Sequence, residues 1–223
     1  RATGEENLAL GGGCALNSVA NGQLLAATPF RRLHIPPAPA DDGTALGAAL
    51  LAWHEDHPEV VPAPAPLSPY LGSEVDAAAA ARFARYAGLP VRHLPDGAVV
   101  DATARLLAQG HVVGWMQGRA EFGPRALGNR SILADPRSPA MMDRINATVK
   151  FRERFRPYAP AILDEFGPAY FEDYQETPYM DRTLRFRPDV RDRVPAVVHV
   201  DGTGRLQTVR PDWNPRFHAL LRR

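Results

Sequence analysis

The chain has 223 residues, 45% of them hydrophobic and 23% charged, with a formal net charge of +1; this is a soluble globular composition, long enough for one large domain or for one domain with part of another. The near-zero charge excludes a general nucleic-acid or membrane-surface binder, and with no apolar run of spanning length there is no transmembrane helix. The single cysteine, Cys14, excludes a disulfide framework and a cysteine-rich metal site, and cytoplasm is the expected compartment.

The N-terminus lacks the basic, apolar and small-residue order of a signal peptide. It starts at Arg1, and the chain stops within an apolar helical pattern, RFHALLRR, so both ends read as cut from a longer protein. Residues 7–11 predict a short strand, Gly11-Gly12-Gly13 a turn, and CALNSVANGQLLAAT a helix. Cys14 reads as a small buried side chain. FRRLHIPPAP predicts an extended piece, and Asp41-Asp42-Gly43 opens an Ala/Leu-rich helix. Residues 58–69 hold five prolines in twelve positions, which marks a semi-rigid domain boundary. Beyond it SEVDAAAAARFARYAGL predicts a helix capped by Ser73 and ended by Gly88, then a strand over VRHL and a second helix over VVDATARLLAQG. HVVGWMQG predicts a buried strand, and RSILADP another. A helix from Ser138 as N-cap and Pro139 as first residue places Met141, Met142, Ile145 and Val149 on one core-facing stripe. AVVHVDGTGRLQTV predicts a hairpin turning at Asp201-Gly202-Thr203-Gly204, and a last helix starts near Pro215. The alternation is that of an α/β protein.

The most unusual stretch is GRAEFGPRALGNRSILADPRSPAMMDRINATVKFRERFRPYAP, residues 118–160. Between Arg119 and Arg156 it carries nine cations against four carboxylates, and it contains the chain's single lysine, Lys150, beside 25 arginines elsewhere and around it. Pro124, Gly128 and Pro157 prevent one continuous helix, so the cations are not one solvated face. Arginine offers a planar fork and lysine a compact point charge, and together they suit a phosphate-bearing ligand. Gly118, Gly123 and Gly128 are expected to let backbone approach it, with Asn129, Arg130 and Ser131 as further donors, and Glu121 and Glu153 to orient the arginines. The glycine turn matches neither the G-x-G-x-x-G fingerprint nor the P-loop. His34, His54, His57, His93, His111 and His218 show no metal-ligand spacing, and Asp41 at a helix start is ordinarily a cap.

Taken together, GGGCALNSVANGQL, DDGTALGAAL, GRAEFGPRALGNRSILADPR, KFRERFRPYAP and HVDGTGRLQTV closely resemble the O-carbamoyltransferase family of NodU/CmcH type, in the family's order over nearly the whole chain. The resemblance implies an actin-like ATPase domain, of which residues 1–57 form the last part, the proline-rich linker 58–69, and a YrdC-like domain with a twisted mixed sheet from residue 70 to 223, truncated at its C-terminus. It implies that carbamoyl phosphate and ATP give a carbamoyl adenylate in the second domain. A hydroxyl of a small-molecule acceptor then attacks this adenylate in the first, near Fe(II) or another divalent metal, with Mg2+ accompanying ATP.

Carried across by motif, Lys150, Arg130 and Arg125 are the catalytic candidates. Arg119, Arg125, Arg130, Ser131, Lys150, Arg152 and Arg156 are the candidates for carbamoyl phosphate and nucleotide phosphates, Gly12 and Gly13 for the adenylate phosphate, and Asp41 for the metal. His199, Asp201 and Arg205 belong to a family motif without individual roles. One carboxylate does not make a metal site, and the chain alone is not expected to complete the transfer. An RNA-binding or tRNA-modification module of YrdC-like fold, or an inactive fragment, are the alternatives. Few aromatics, Phe122, Phe151, Phe155 and Tyr158, interleave the basic run, which makes nucleic acid the weaker partner.

Overall fold

The fold comes from a computed structural model, which describes residues 3–61, 67–95, 97–151, 153 and 156–223. At the N-terminus, strand β1 (Asn7–Ala9) pairs in parallel with β2 (Arg32–His34), Asn7 opposite Arg32 and Ala9 opposite His34. A 3-10 turn over Gly13–Leu16 and helix α1 (Ser18–Ala27) connect them. Asn17 starts α1, its side-chain oxygen accepting the Ala20 N–H at 3.1 Å. Cys14 lies in the 3-10 turn and is exposed, contrary to the expectation of a buried thiol. Helix α2 (Asp41–Asp56) follows and buries no residue.

Helix α3 (Ala77–Tyr86) starts three residues later than Ser73 would set it. Asp76 is the cap, its carboxylate accepting the Ala79 N–H at 2.5 Å. The Ser73 carbonyl instead accepts from the Ala120 N–H at 2.8 Å, beside a β-bridge between Glu74 and Arg119. Residues 91–94 form no strand; they are largely exposed and pair with no neighbour. Helix α4 (Ala98–Ala108) is followed by β3 (Val113–Met116), which pairs antiparallel with β4 (Arg130–Leu133). Only Trp115 of β3 is buried, because a two-stranded pair covers one face.

Helix α5 (Ala140–Ile145) begins one residue after the expected Pro139 and runs into a π-helical turn, Asn146–Lys150. The wider turn breaks the expected stripe: Met141 and Ile145 are buried, but Val149 is 37% exposed. Strand β5 (Ala161–Leu163) and helix α6 (Gly167–Tyr170) lead to β6 (Thr183–Arg185), β7 (Thr203–Arg205), β8 (Gln207–Val209) and helix α7 (Pro215–Arg222). β7 and β8 do not form the expected hairpin. β7 pairs antiparallel with β6, and β8 pairs in parallel with β5, with the fully buried Leu206 between them. A single twisted mixed sheet is therefore replaced, among the described residues, by four two-stranded pairs, two parallel and two antiparallel, in a mixed α/β fold.

The core lies in the C-terminal part. Phe171, Leu184, Phe186, Val190, Val197 and Leu206 form one cluster, with the Phe171 and Phe186 rings 4.4 Å apart, and Trp115, Val209, Phe217 and Leu220 form a second under α7. Each such side chain contributes about 1.5–3 kcal/mol by leaving water. The N-terminal part is tied to this core by polar groups. Asn21 donates to the carbonyls of Ala15 and Asp181, both at 2.7 Å, and Arg182 donates to the carbonyl of Leu33 at 3.0 Å. Gly22 lies against Thr183, whose backbone any Cβ would overlap.

Candidate functional site

The segment from Arg119 to Ser131 folds as a loop around one carboxylate. Oε1 of Glu121 accepts the N–H groups of Leu127 at 2.6 Å, Asn129 at 2.8 Å and Arg130 at 3.2 Å. Glu121 thus orients main chain and not the arginines it was expected to hold. Gly118, Gly123 and Gly128 all have positive φ, at 44°, 124° and 99°, a region open to glycine at little cost. At two of them the space is taken by the protein itself: a Cβ on Gly123 would overlap the Pro37 carbonyl, and one on Gly128 the Phe217 ring.

A buried amide network locks the loop to the core. Asn214, the N-cap of α7, accepts the Phe217 N–H at 3.1 Å and donates to Asn129 Oδ1 at 2.8 Å and to the Tyr70 hydroxyl at 3.0 Å. Gln117 donates to Asn214 Oδ1 and to the Gly128 carbonyl, both at 2.9 Å. Tyr70 and Gln207 both donate to the Leu127 carbonyl, at 2.8 and 2.7 Å. Burial pushes the Tyr70 phenol up to about 12, with the Asn214 hydrogen bond pulling the other way. Tyr70, Gln117, Gln207 and Asn214 escape a sequence reading because nothing in their spacing distinguishes them from surface polar residues; only the turn chemistry of Asn214 before Pro215 signals a cap.

The candidate cations differ in what they touch. Arg130 donates to the carbonyls of Gln117 at 2.7 Å, Asn129 at 2.8 Å, Gly118 at 2.9 Å and Ser73 at 3.4 Å, so its fork holds backbone. Ser131 accepts the Gly128 N–H through its hydroxyl at 2.9 Å. Arg119 donates to the Leu71 carbonyl at 3.0 Å. Arg125 reaches across to the N-terminal part and donates to the Leu16 carbonyl at 2.9 Å, in a small cleft shared with Ala15, Ile35, Tyr179 and Asp181. Burial lowers its pKa from the usual arginine value, and the Asp181 charge offsets part of that.

The structure therefore brings Arg125 next to the 3-10 turn that follows Gly12 and Gly13. Those two glycines are exposed with open space where a Cβ would stand, and Gly12 has φ 90°. Lys150 closes the π-helical turn and is exposed, followed by Phe151 at φ 47° with 79% of its surface open. Arg156 is exposed as well, and neither cation forms an ion pair among the described residues. Glu153 accepts the Arg156 N–H through its carbonyl at 3.3 Å. Arg152 lies outside the described residues.

His199, Asp201 and Arg205 flank a tight turn. The Thr203 hydroxyl donates to Asp201 Oδ1 at 2.7 Å and lies 3.2 Å from His199 Nδ1, while the Thr203 N–H donates to Asp201 at 2.9 Å. Burial holds the His199 imidazole below its usual range; Asp201 opposes this and Arg205 adds to it. Burial raises the Asp201 carboxyl, but the Thr203 hydrogen bonds and His199 outweigh it and leave the group below the carboxylate range. Asp41 stands exposed at the first position of α2, and no group of three His, Cys, Asp or Glu side chains that could hold a metal occurs among the described residues.

Residues 104–223 match the family model described as Carbamoyltransferase C-terminus, and residues 1–50 the one described as Carbamoyltransferase N-terminus. Among curated relatives, Nodulation protein NolO of Bradyrhizobium diazoefficiens is 42% identical over 99% of this chain and 41% of its own length. Nodulation protein NolNO of Sinorhizobium fredii is 43% identical over 98% and 33%. The 3'-hydroxymethylcephem-O-carbamoyltransferase of Streptomyces clavuligerus is 39% identical over 96% and 39%. The chain thus spans between a third and two fifths of the length of the relatives it matches.

Proposed function

The chain belongs to the carbamoyltransferase family, and we propose that its C-terminal part binds carbamoyl phosphate and ATP in the activation half of an O-carbamoyl transfer. In that half, carbamoyl phosphate, ATP and water give carbamoyl adenylate, with phosphate and pyrophosphate released. An acceptor hydroxyl then takes the carbamoyl group and AMP leaves. This reading carries a division into an actin-like unit over residues 1–57, a connection over 58–69 and a YrdC-like unit beyond. The separate family matches at the two ends of the chain support the division.

The observation that carries the proposal is the loop fixed around Glu121. It sets Arg119 and Arg125 on a scaffold that is anchored at many points and needs no rearrangement to receive an anion. Preorganised cations lower the energy of charge growing on phosphate oxygens without transferring a proton. Arg130 and Ser131 hold the loop's shape, and in this reading they act on the ligand through the backbone they position. Lys150 and Arg156 supply mobile positive charge from the far side of α5.

For a metal the fit is poor. Asp41 has no two companion ligands among the described residues, so no step is assigned to a metal here. The acceptor is a small-molecule hydroxyl compound, as the name of the cephem relative indicates for that enzyme. Isothermal titration of the chain with carbamoyl phosphate and ATP tests the reading. Wild type is expected to bind carbamoyl phosphate, and Lys150→Ala to bind it about tenfold more weakly, the value of one charge-assisted contact. Absence of binding by wild type overturns the donor assignment, and equal binding by both proteins removes Lys150 from the site.

A further inference from the structure

Two fully exposed helices of this chain carry opposite charge. α2 is sixteen residues long and buries none of them; Leu50 is 50% exposed and Trp53 42%. Leu46, Ala49, Leu50 and Trp53 fall on one stripe at helical spacing. α3 also buries none of its ten residues, and Phe83 and Tyr86 are 68% and 81% exposed, with Ala79 and Ala87 on the same side. Isolated helices of this length are marginal in water and are ordinarily held by covering such a stripe.

The charges around the two stripes are complementary. From Leu33 to Ala81 there are seven carboxylates and no lysine or arginine; from Arg82 to His93 there are three arginines and no carboxylate. Glu55 and Asp56 close α2, and Arg82 and Arg85 lie within α3, Arg85 stacking over Tyr86 at 5.2 Å. Like pairs, α2 on α2 or α3 on α3, would set equal charges against each other, whereas α2 on α3 attracts.

We propose that α2 of one copy receives α3 of a second copy, and the reverse, so that the chain forms a two-fold dimer. Leu50 and Trp53 then face Phe83 and Tyr86, and Glu55 and Asp56 face Arg82 and Arg85. The reciprocity is what a self-complementary interface requires. It also supplies two helix contacts, which a stable interface of about 1,600 Å² needs.

Light scattering on a sizing column tests this at a concentration about tenfold above a micromolar dissociation constant. Wild type is expected at twice the 24.4 kDa of one chain. The double reversals Glu55→Arg with Asp56→Arg, and Arg82→Glu with Arg85→Glu, are each expected to run as monomers with unchanged circular dichroism, since all four side chains are exposed. Mixing the two variants is expected to rebuild a dimer, because both helix contacts then pair opposite charges again. A monomeric wild type overturns the proposal. So does a dimer that neither reversal dissolves, or a mixture that stays monomeric.

Discussion

Asn214 donates from its side-chain amide to Oδ1 of Asn129 across 2.8 Å, so the start of α7 and the cationic loop share one buried amide pair. The same Asn214 caps α7 and accepts from Gln117. Asn214→Ala removes the cap and leaves the Asn129 oxygen and the Gln117 amide without their partner, at a cost of about 2–4 kcal/mol. Asn214→Asp keeps the cap but cannot donate to Asn129 or Tyr70, and is expected to fall between. Urea denaturation of the three proteins gives the order.

Gly128 and Gly12 both hold positive φ, 99° and 90°, in different surroundings. Alanine at Gly12 meets open space and is expected to cost only its backbone strain, about 1 kcal/mol. At Gly128 it meets the Phe217 ring, which is packed in the core under α7. There the strain is joined by overpacking, together about 3 kcal/mol or more. Thermal melts of the two variants should differ clearly, with Gly128→Ala the lower.

Glu121 provides a third comparison. Glu121→Gln keeps an oxygen for the three N–H groups, while Glu121→Ala leaves all three without it. The alanine variant is expected to lose about 2–3 kcal/mol of stability. Its affinity for carbamoyl phosphate should fall further than that of the glutamine variant, as titration calorimetry of the folded proteins would show. Equal affinity in the two variants would separate the loop's shape from ligand binding.

His199 gives the fold a pH dependence with a definite sign. Its folded pKa lies below the usual 6.5, so the folded chain binds fewer protons in that range than the unfolded one. Stability is unaffected well above 6.5 and declines as pH falls below it, until the folded pKa is passed. The urea midpoint of wild type is therefore expected to drop between about pH 7 and pH 5 by more than that of His199→Gln. An identical drop in both would assign the acid sensitivity to other groups.

Local patterns carried much of this structure and failed where tertiary partners decide. α4, β4 and α7 follow from periodicity and caps close to where they stand. The cap of α3 moved from Ser73 to Asp76 because the Ser73 carbonyl is engaged by Ala120, a contact with no local signal. The Asp-Gly signal at residues 201–202 does mark a turn, with the Gly202 N–H bonded to the His199 carbonyl, but the two flanking strands choose β6 and β5 over each other. At the site, charge density pointed to the right stretch of chain without separating arginines that grip backbone, as Arg130 does, from those exposed like Arg156. Side-chain type alone does not encode that difference.

Arg182 has a consequence for motion. It is buried and holds Asp181, Gln175 and the Leu33 carbonyl at once, the last belonging to β2. Pulling the N-terminal part straight away would leave this guanidinium short of an acceptor in a dry place. Any rocking between the two parts of the chain must therefore turn about Arg182 as a fulcrum, so that distant points such as α2 travel far while the residues around Leu33 hardly move.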